Sequence, residues 1–220
     1  MEESITKQKV IEAAIALFNS KGYNGTSVRE IAYKAKVNIS LISYYFGGKQ
    51  GLLEDLIAAF FEGYVAEIES SYQRLETISA KKCLQEIILK LLSYQQNHHH
   101  LARFVHREIT LDTILVREVM TTYLRKEKYY FKEILVRGSI QNEFKKQPVD
   151  YVIMQLKGML IMPYLHPQYL NEVYYINAYE EYFKERYTKL LMDWIDFFIC
   201  RTHGIKKQDG MPSFFPVLSS

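Results

Sequence analysis

Gly25-Thr26-Ser27-Val28-Arg29-Glu30-Ile31-Ala32, followed by Val37-Asn38-Ile39-Ser40-Leu41-Ile42-Ser43-Tyr44-Tyr45-Phe46, decides the fold. Ser27 and Glu30 have the spacing at which a hydroxyl and a carboxylate cap one helix start reciprocally. Val28, Ile31, Ala32 and Ala35 then recur on one helical face. A second short helix over about residues 40–46 turns Ile42 and Phe46 inward, one turn apart, and Gly47-Gly48 stops it. Upstream, residues 6–20 carry Val10, Ala13, Ala14, Leu17 and Phe18 on one face. Lys21-Gly22 ends that helix, a cation at the negative pole and then a residue free to take positive φ.

Three short helices, the last two joined by a tight turn, form a helix-turn-helix pattern. In such a unit the second helix of the pair enters the major groove and its first residues reach base edges. The positions that turn outward here are Asn38, Ile39, Ser40, Leu41, Ser43, Tyr44 and Tyr45. Asn and Ser can hydrogen-bond bases, and Leu or Ile can pack on a thymine methyl. Thr26, Ser27, Tyr44, Tyr45 and Lys49 are placed to grip phosphates, and Arg29 to reach a guanine or a phosphate.

Charge agrees with this placement. The 220 residues carry a formal charge of +3. Residues 1–50 hold seven Lys/Arg against four Glu, and the remainder balances. Double-stranded DNA is thus the expected partner.

Helical periodicity continues through the rest of the chain with no sustained strand alternation, so the fold class is all-α. A long helix from about Lys49 carries Leu52, Leu53, Leu56, Ile57, Phe60 and Tyr64. Further helices are predicted over 80–97, 101–110, 114–141, 148–163 and 179–201. Residues 204–220 lose periodicity and read as a flexible tail. This gives a reading domain at 1–48 and a helical domain at 49–203. Cys83 and Cys200 fall on apolar faces, as buried reduced thiols do. No signal peptide is read at the start. The uncharged run 158–171 is interrupted by two prolines and is shorter than the roughly 20 residues of a membrane span, so no membrane partner and a cytoplasmic, nucleoid-associated location are expected.

The combination Gly22-Tyr23, Thr26-Ser27-Val28-Arg29-Glu30-Ile31-Ala32, Val37, Ile42, Tyr44-Tyr45-Phe46, Lys49 and Leu52-Leu53 resembles the signature of the TetR/AcrR family over about residues 4–60. The resemblance implies an all-helical homodimer of DNA-binding regulators, paired through its last two helices as a four-helix bundle. On that basis the dimer interface holds Val152, Leu156, Met159, Tyr187, Leu190, Leu191, Trp194 and Phe198. Stripes wider than one neighbouring helix needs also favour a partner. Ile39, Leu41 and Ser43 depart from the family's usual residues, which leaves the operator sequence open.

A narrower resemblance runs through Leu92–His98, Arg103–Thr110, Thr122–Tyr129, Met162–Leu165 and Pro167–Tyr169. These segments are similar to the RefZ type of this family from spore-forming bacilli. It implies a DNA-bound dimer that inhibits assembly of the tubulin-like FtsZ during division and sporulation. A protein partner would then touch exposed charges on the long helix, Arg117, Glu118 and Arg125, with Arg117 foremost. The alternative is a repressor released from DNA by a small hydrophobic molecule. An open aromatic cavity would favour the latter and a filled core the former; no buried charge stands out in the sequence as a ligand clamp.

His98-His99-His100 is no metal site, since consecutive helical positions point about 100° apart, and it is expected at a joint between helices. Neither a P-loop, a nucleophile elbow, CxxC nor HExxH occurs, so no enzyme and no cofactor are expected.

Overall fold

A computed structural model describes residues 2–111 and 114–201. Among these, every regular element is helical: α1 (Glu2–Lys21), α2 (Val28–Ala35), α3 (Ile39–Phe46), α4 (Lys49–Tyr72), α5 (Ala80–Asn97), α6 (His99–Thr110), α7 (Ile114–Ile140), α8 (Val149–Leu165), α9 (Pro167–Tyr174) and α10 (Glu181–Trp194). A π-turn, Ile195–Ile199, follows α10 and closes on a single bridge between Phe144 and Cys200. No described helix is long and apolar enough to cross a membrane.

One apolar core runs from Val10 in α1 to Cys200. Its spine is α4, which buries Leu52, Leu53, Leu56, Ile57, Phe60, Phe61 and Tyr64. Helices α1–α3 form the head: α1 packs on α2, α2 on α3, and α3 on α4. Helices α5, α6 and α7 pack along the rest, α8 packs on these three, and α6 also packs on α1, where Phe104 stacks on Phe18 at 5.1 Å. His98 stands at the joint of α5 and α6. Cys83 and Cys200 are both buried and unpaired, but Cys200 lies past the π-turn and not on a helix face.

Three expectations need correction. The helix expected over 179–201 starts at Glu181 and runs on into the π-turn Ile195–Ile199, in which Phe197 and Phe198 are exposed. Helix α9 is absent from the sequence expectation, although Pro167 occupies its first turn. Of the expected partner-facing residues, Val152, Leu156 and Leu191 lie in the protomer's own core. Met159, Tyr187 and Trp194 pack against that core, Tyr187 donating to the Met159 carbonyl at 2.8 Å. Only Leu190 and Phe198 of that set stand exposed; Tyr151, Met154, Tyr182 and Phe197 are exposed as well. The expected tail at 204–220 lies outside the described residues.

Polar groups also enter the core. The Glu127 carboxylate of α7 is buried, pairs with Lys157 of α8 and accepts from Tyr64 Oη of α4 at 3.2 Å. His106 of α6 lies beside it, Nε2 held at 2.7 Å by Gln95 Oε1, and burial lowers its pKa to about 3. These side chains border a cavity of about 150 Å³. No buried charge stands out in the sequence as a ligand clamp, yet Glu127 and Glu108 are both almost wholly enclosed.

Candidate nucleic-acid interface

The α2–α3 pair is built by an N-cap on each helix and one left-handed residue between them. Ser27 accepts from the Glu30 amide at 3.2 Å, and Glu30 Oε2 accepts from the Ser27 amide at 2.8 Å. Lys21 Nζ adds a bond to Glu30 Oε1 at 2.6 Å. That ammonium, then the two Ser27 bonds, hold the Glu30 carboxyl down at about 2. The box is therefore intact above the ordinary carboxylate range and is lost as pH falls from about 4.5 through about 2. Carboxyl-detected NMR of Glu30 will show its midpoint near 2, and Lys21→Met will move it up toward the ordinary range.

At the other end of α2, Lys36 closes the helix at φ 57°, ψ 44°, and Val37 N donates to Ala32 O at 3.0 Å. This conformation suits glycine, because a Cβ crowds the following carbonyl. Lys36→Gly will stabilise the fold by about 1 kcal/mol, read as a raised urea midpoint at unchanged m. An unchanged or lowered midpoint contradicts the strain.

Helix α3 starts on Asn38, whose Oδ1 accepts from the Ser40 amide at 2.9 Å and from Ser40 Oγ at 2.8 Å. The cap fixes the polarity of both side chains. The Asn38 Nδ2 group is left to donate outward, while the Ser40 hydroxyl, its hydrogen committed, offers lone pairs. Asn38, Ile39, Ser40, Ser43 and Tyr44 are exposed together, and Gly47 at φ 70° ends the helix. This is a groove-sized surface with a donor, an acceptor and an apolar contact at its leading end.

The phosphate-gripping set divides. Arg29 and Tyr44 are exposed, the latter 74%. Tyr45 and Leu41 are half-buried, Tyr45 meeting the Tyr44 ring edge-on at 5.1 Å. Thr26 is buried, its hydroxyl donating to Gly22 O at 2.8 Å. The Ser27 hydroxyl is taken by Glu30. Lys49 Nζ donates to Tyr23 O at 3.1 Å and Thr26 O at 2.9 Å and sits 4.3 Å from the Tyr23 ring centre. Lys49 thus ties the α1–α2 turn to α4, and at most one of its three protons faces outward. Tyr33, passed over in the sequence, is 88% exposed one turn beyond Arg29. Nothing in the pattern marks it, since any exposed helix face accepts a tyrosine.

Comparison with known proteins places this geometry. Residues 10–56 match the family model described as bacterial regulatory proteins, tetR family. A probable HTH-type transcriptional regulator of Bacillus subtilis (strain 168), YttP, is 49% identical over 190 residues, 86% of this chain and 92% of that protein. The HTH-type transcriptional dual regulator CecR of Shigella flexneri is 34% identical over 116 residues, 46% of this chain and 50% of its own length. Among solved structures, the TetR family regulator PfmR of Thermus thermophilus superposes with a TM-score of 0.71 at 20% identity, over 84% of this chain and 96% of that one.

Proposed function

Since the chain belongs to the tetR family of bacterial regulatory proteins, and is thus a DNA-binding transcriptional regulator and not an enzyme, we propose that it reads one pseudo-palindromic duplex with the α3 helices of two identical protomers. The observation that carries this is the Asn38 cap, which presents an outward amide donor beside Ser40 on a helix end left free of packing. Asn38 and Ser40 read bases, with Ile39 and Ser43 beside them; Arg29, Tyr33 and Tyr44 hold the backbone. The second copy covers the exposed apolar face of α8 and α10. Gly158 supports that placement, because a Cβ there would meet nothing within the protomer, so its bareness serves close approach by another helix. Selection from random duplexes by the purified protein tests the reading. Two inverted half-sites one helical turn or a multiple apart are expected. A single unrepeated half-site, or no enrichment, overturns it.

Two readings of control remain. The RefZ-type resemblance supports action on FtsZ assembly, through the exposed Arg117, Glu118 and Arg125 of α7. The cavity at Glu127, about 150 Å³, is smaller than the roughly 300 Å³ at which ligand pockets begin, whereas the aromatic groove of about 430 Å³ lined by Tyr175, Tyr182, Phe183 and Tyr187 exceeds it and supports the hydrophobic inducer equally. Light scattering of FtsZ polymers separates the two: wild type lowers the signal and Arg117→Glu does not, while DNA binding stays. No effect of the wild type on FtsZ polymers discards the first reading.

A further inference from the structure

Besides the covalent path through α4, the head is joined to the helices behind it where α6 meets the end of α1. Arg107 Nη2 donates to Phe18 O at 2.5 Å and Nη1 to Asn19 O at 3.3 Å, two successive carbonyls at the negative pole of α1. Asn19 Nδ2 returns a bond to His100 O at 2.8 Å, on the first turn of α6. Glu108, almost wholly enclosed, sits 3.7 Å from the same guanidinium and holds it in register. The neighbouring Phe18–Phe104 stack resists separation but, being apolar contact, has little directional preference. A guanidinium fork on two carbonyls is directional. It acts beside the Lys49 ties from α4 to Tyr23 O and Thr26 O, which span the Gly47-Gly48 joint at φ 70° and 111° but hold the head only at its α4 side.

We infer that Arg107 is a positioning residue for DNA binding: from α6 it holds the carbonyl end of α1 and thereby fixes how far apart a dimer carries its two reading helices. It touches no base or phosphate in this role. The inference rests on the paired-head reading above, and it assigns the head's orientation to one side chain outside the DNA surface.

The test uses duplexes enriched by the wild-type full chain, remade with the half-site spacing changed by one and two base pairs each way. Wild type binds one spacing best and falls away steeply on either side. Arg107→Met keeps the fold, the dimer and the base preference within each half-site. It binds the best duplex about tenfold more weakly, the size of one lost charge-assisted hydrogen bond, and its spacing profile is flattened. Arg107→Lys, with one ammonium for the fork, restores part of the peak. Asn19→Ala flattens the profile to a smaller extent, and decides by the same criterion if Arg107→Met does not fold. A variant profile that superposes on the wild-type peak overturns the inference, because a merely stabilising contact would lower all spacings alike. A flat wild-type profile instead removes the paired-head premise.

Discussion

Leu190→Asp will convert a dimer into monomers and remove at least about two orders of magnitude of operator affinity. Leu190 is 53% exposed in the protomer, and the apolar side chains of Tyr151, Met154 and Phe198 are exposed too. A new carboxylate there meets water in the monomer and apolar surface in the dimer. Two-fold symmetry places it in the interface twice, each copy costing several kcal/mol if left unpaired. Loss of pairing then separates two half-site interactions that otherwise act together. The monomer's thermal midpoint will stay close to wild type. Leu191→Asp, one residue on, will behave differently: Leu191 is buried in the protomer, so this change unfolds the chain instead of splitting it. Light scattering with melting curves distinguishes the pair. A Leu190→Asp dimer that binds DNA like wild type places the interface elsewhere.

Lys157→Met will destabilise the fold by about 3 kcal/mol, more than Glu127→Gln does. The Glu127 side chain is 5% exposed and that of Lys157 is 32% exposed, so the two partners are not equivalent. Without Lys157 a carboxylate remains enclosed, with only Tyr64 Oη among the described residues to donate to it. Without the carboxylate, the lysine ammonium still reaches solvent along its stem. The double variant Glu127→Leu/Lys157→Met removes both charges and will recover most of the loss, because apolar replacement of a buried pair is often neutral. Urea unfolding at constant m reads all three. Equal losses from the two single changes would mean that the pair is solvated and contributes little.

The head is the most legible part because its signals are local. Ser27 and Glu30, Gly22 and Gly47 each specify a cap or stop within four residues, and each stands where the sequence implies. Lys36 is not legible as a left-handed residue, since nothing about lysine marks that conformation. The functional side chains divide for a different reason. Thr26 and Lys49 are polar and adjacent to the reading helix, yet the three-dimensional turn consumes both on backbone carbonyls. On α8 and α10 the apolar stripes exceed one face, and periodicity alone cannot say which edge meets the protomer's own core. Val152, Leu156 and Leu191 turn inward while Leu190 and Phe198 remain outside. Glu127 and Glu108 look like ordinary helix-surface charges until helices distant in sequence converge on them. The π-turn after Trp194 leaves no trace in the pattern, because it inserts one residue's worth of rotation without changing composition.

Mass measurement of the intact complex between the protein and a single selected duplex tests the paired reading head most directly. Two copies of the 26.0-kDa chain on one duplex are expected, with no complex of one copy at comparable concentration. A complex of one copy per duplex, formed with undiminished affinity and sequence preference, contradicts it.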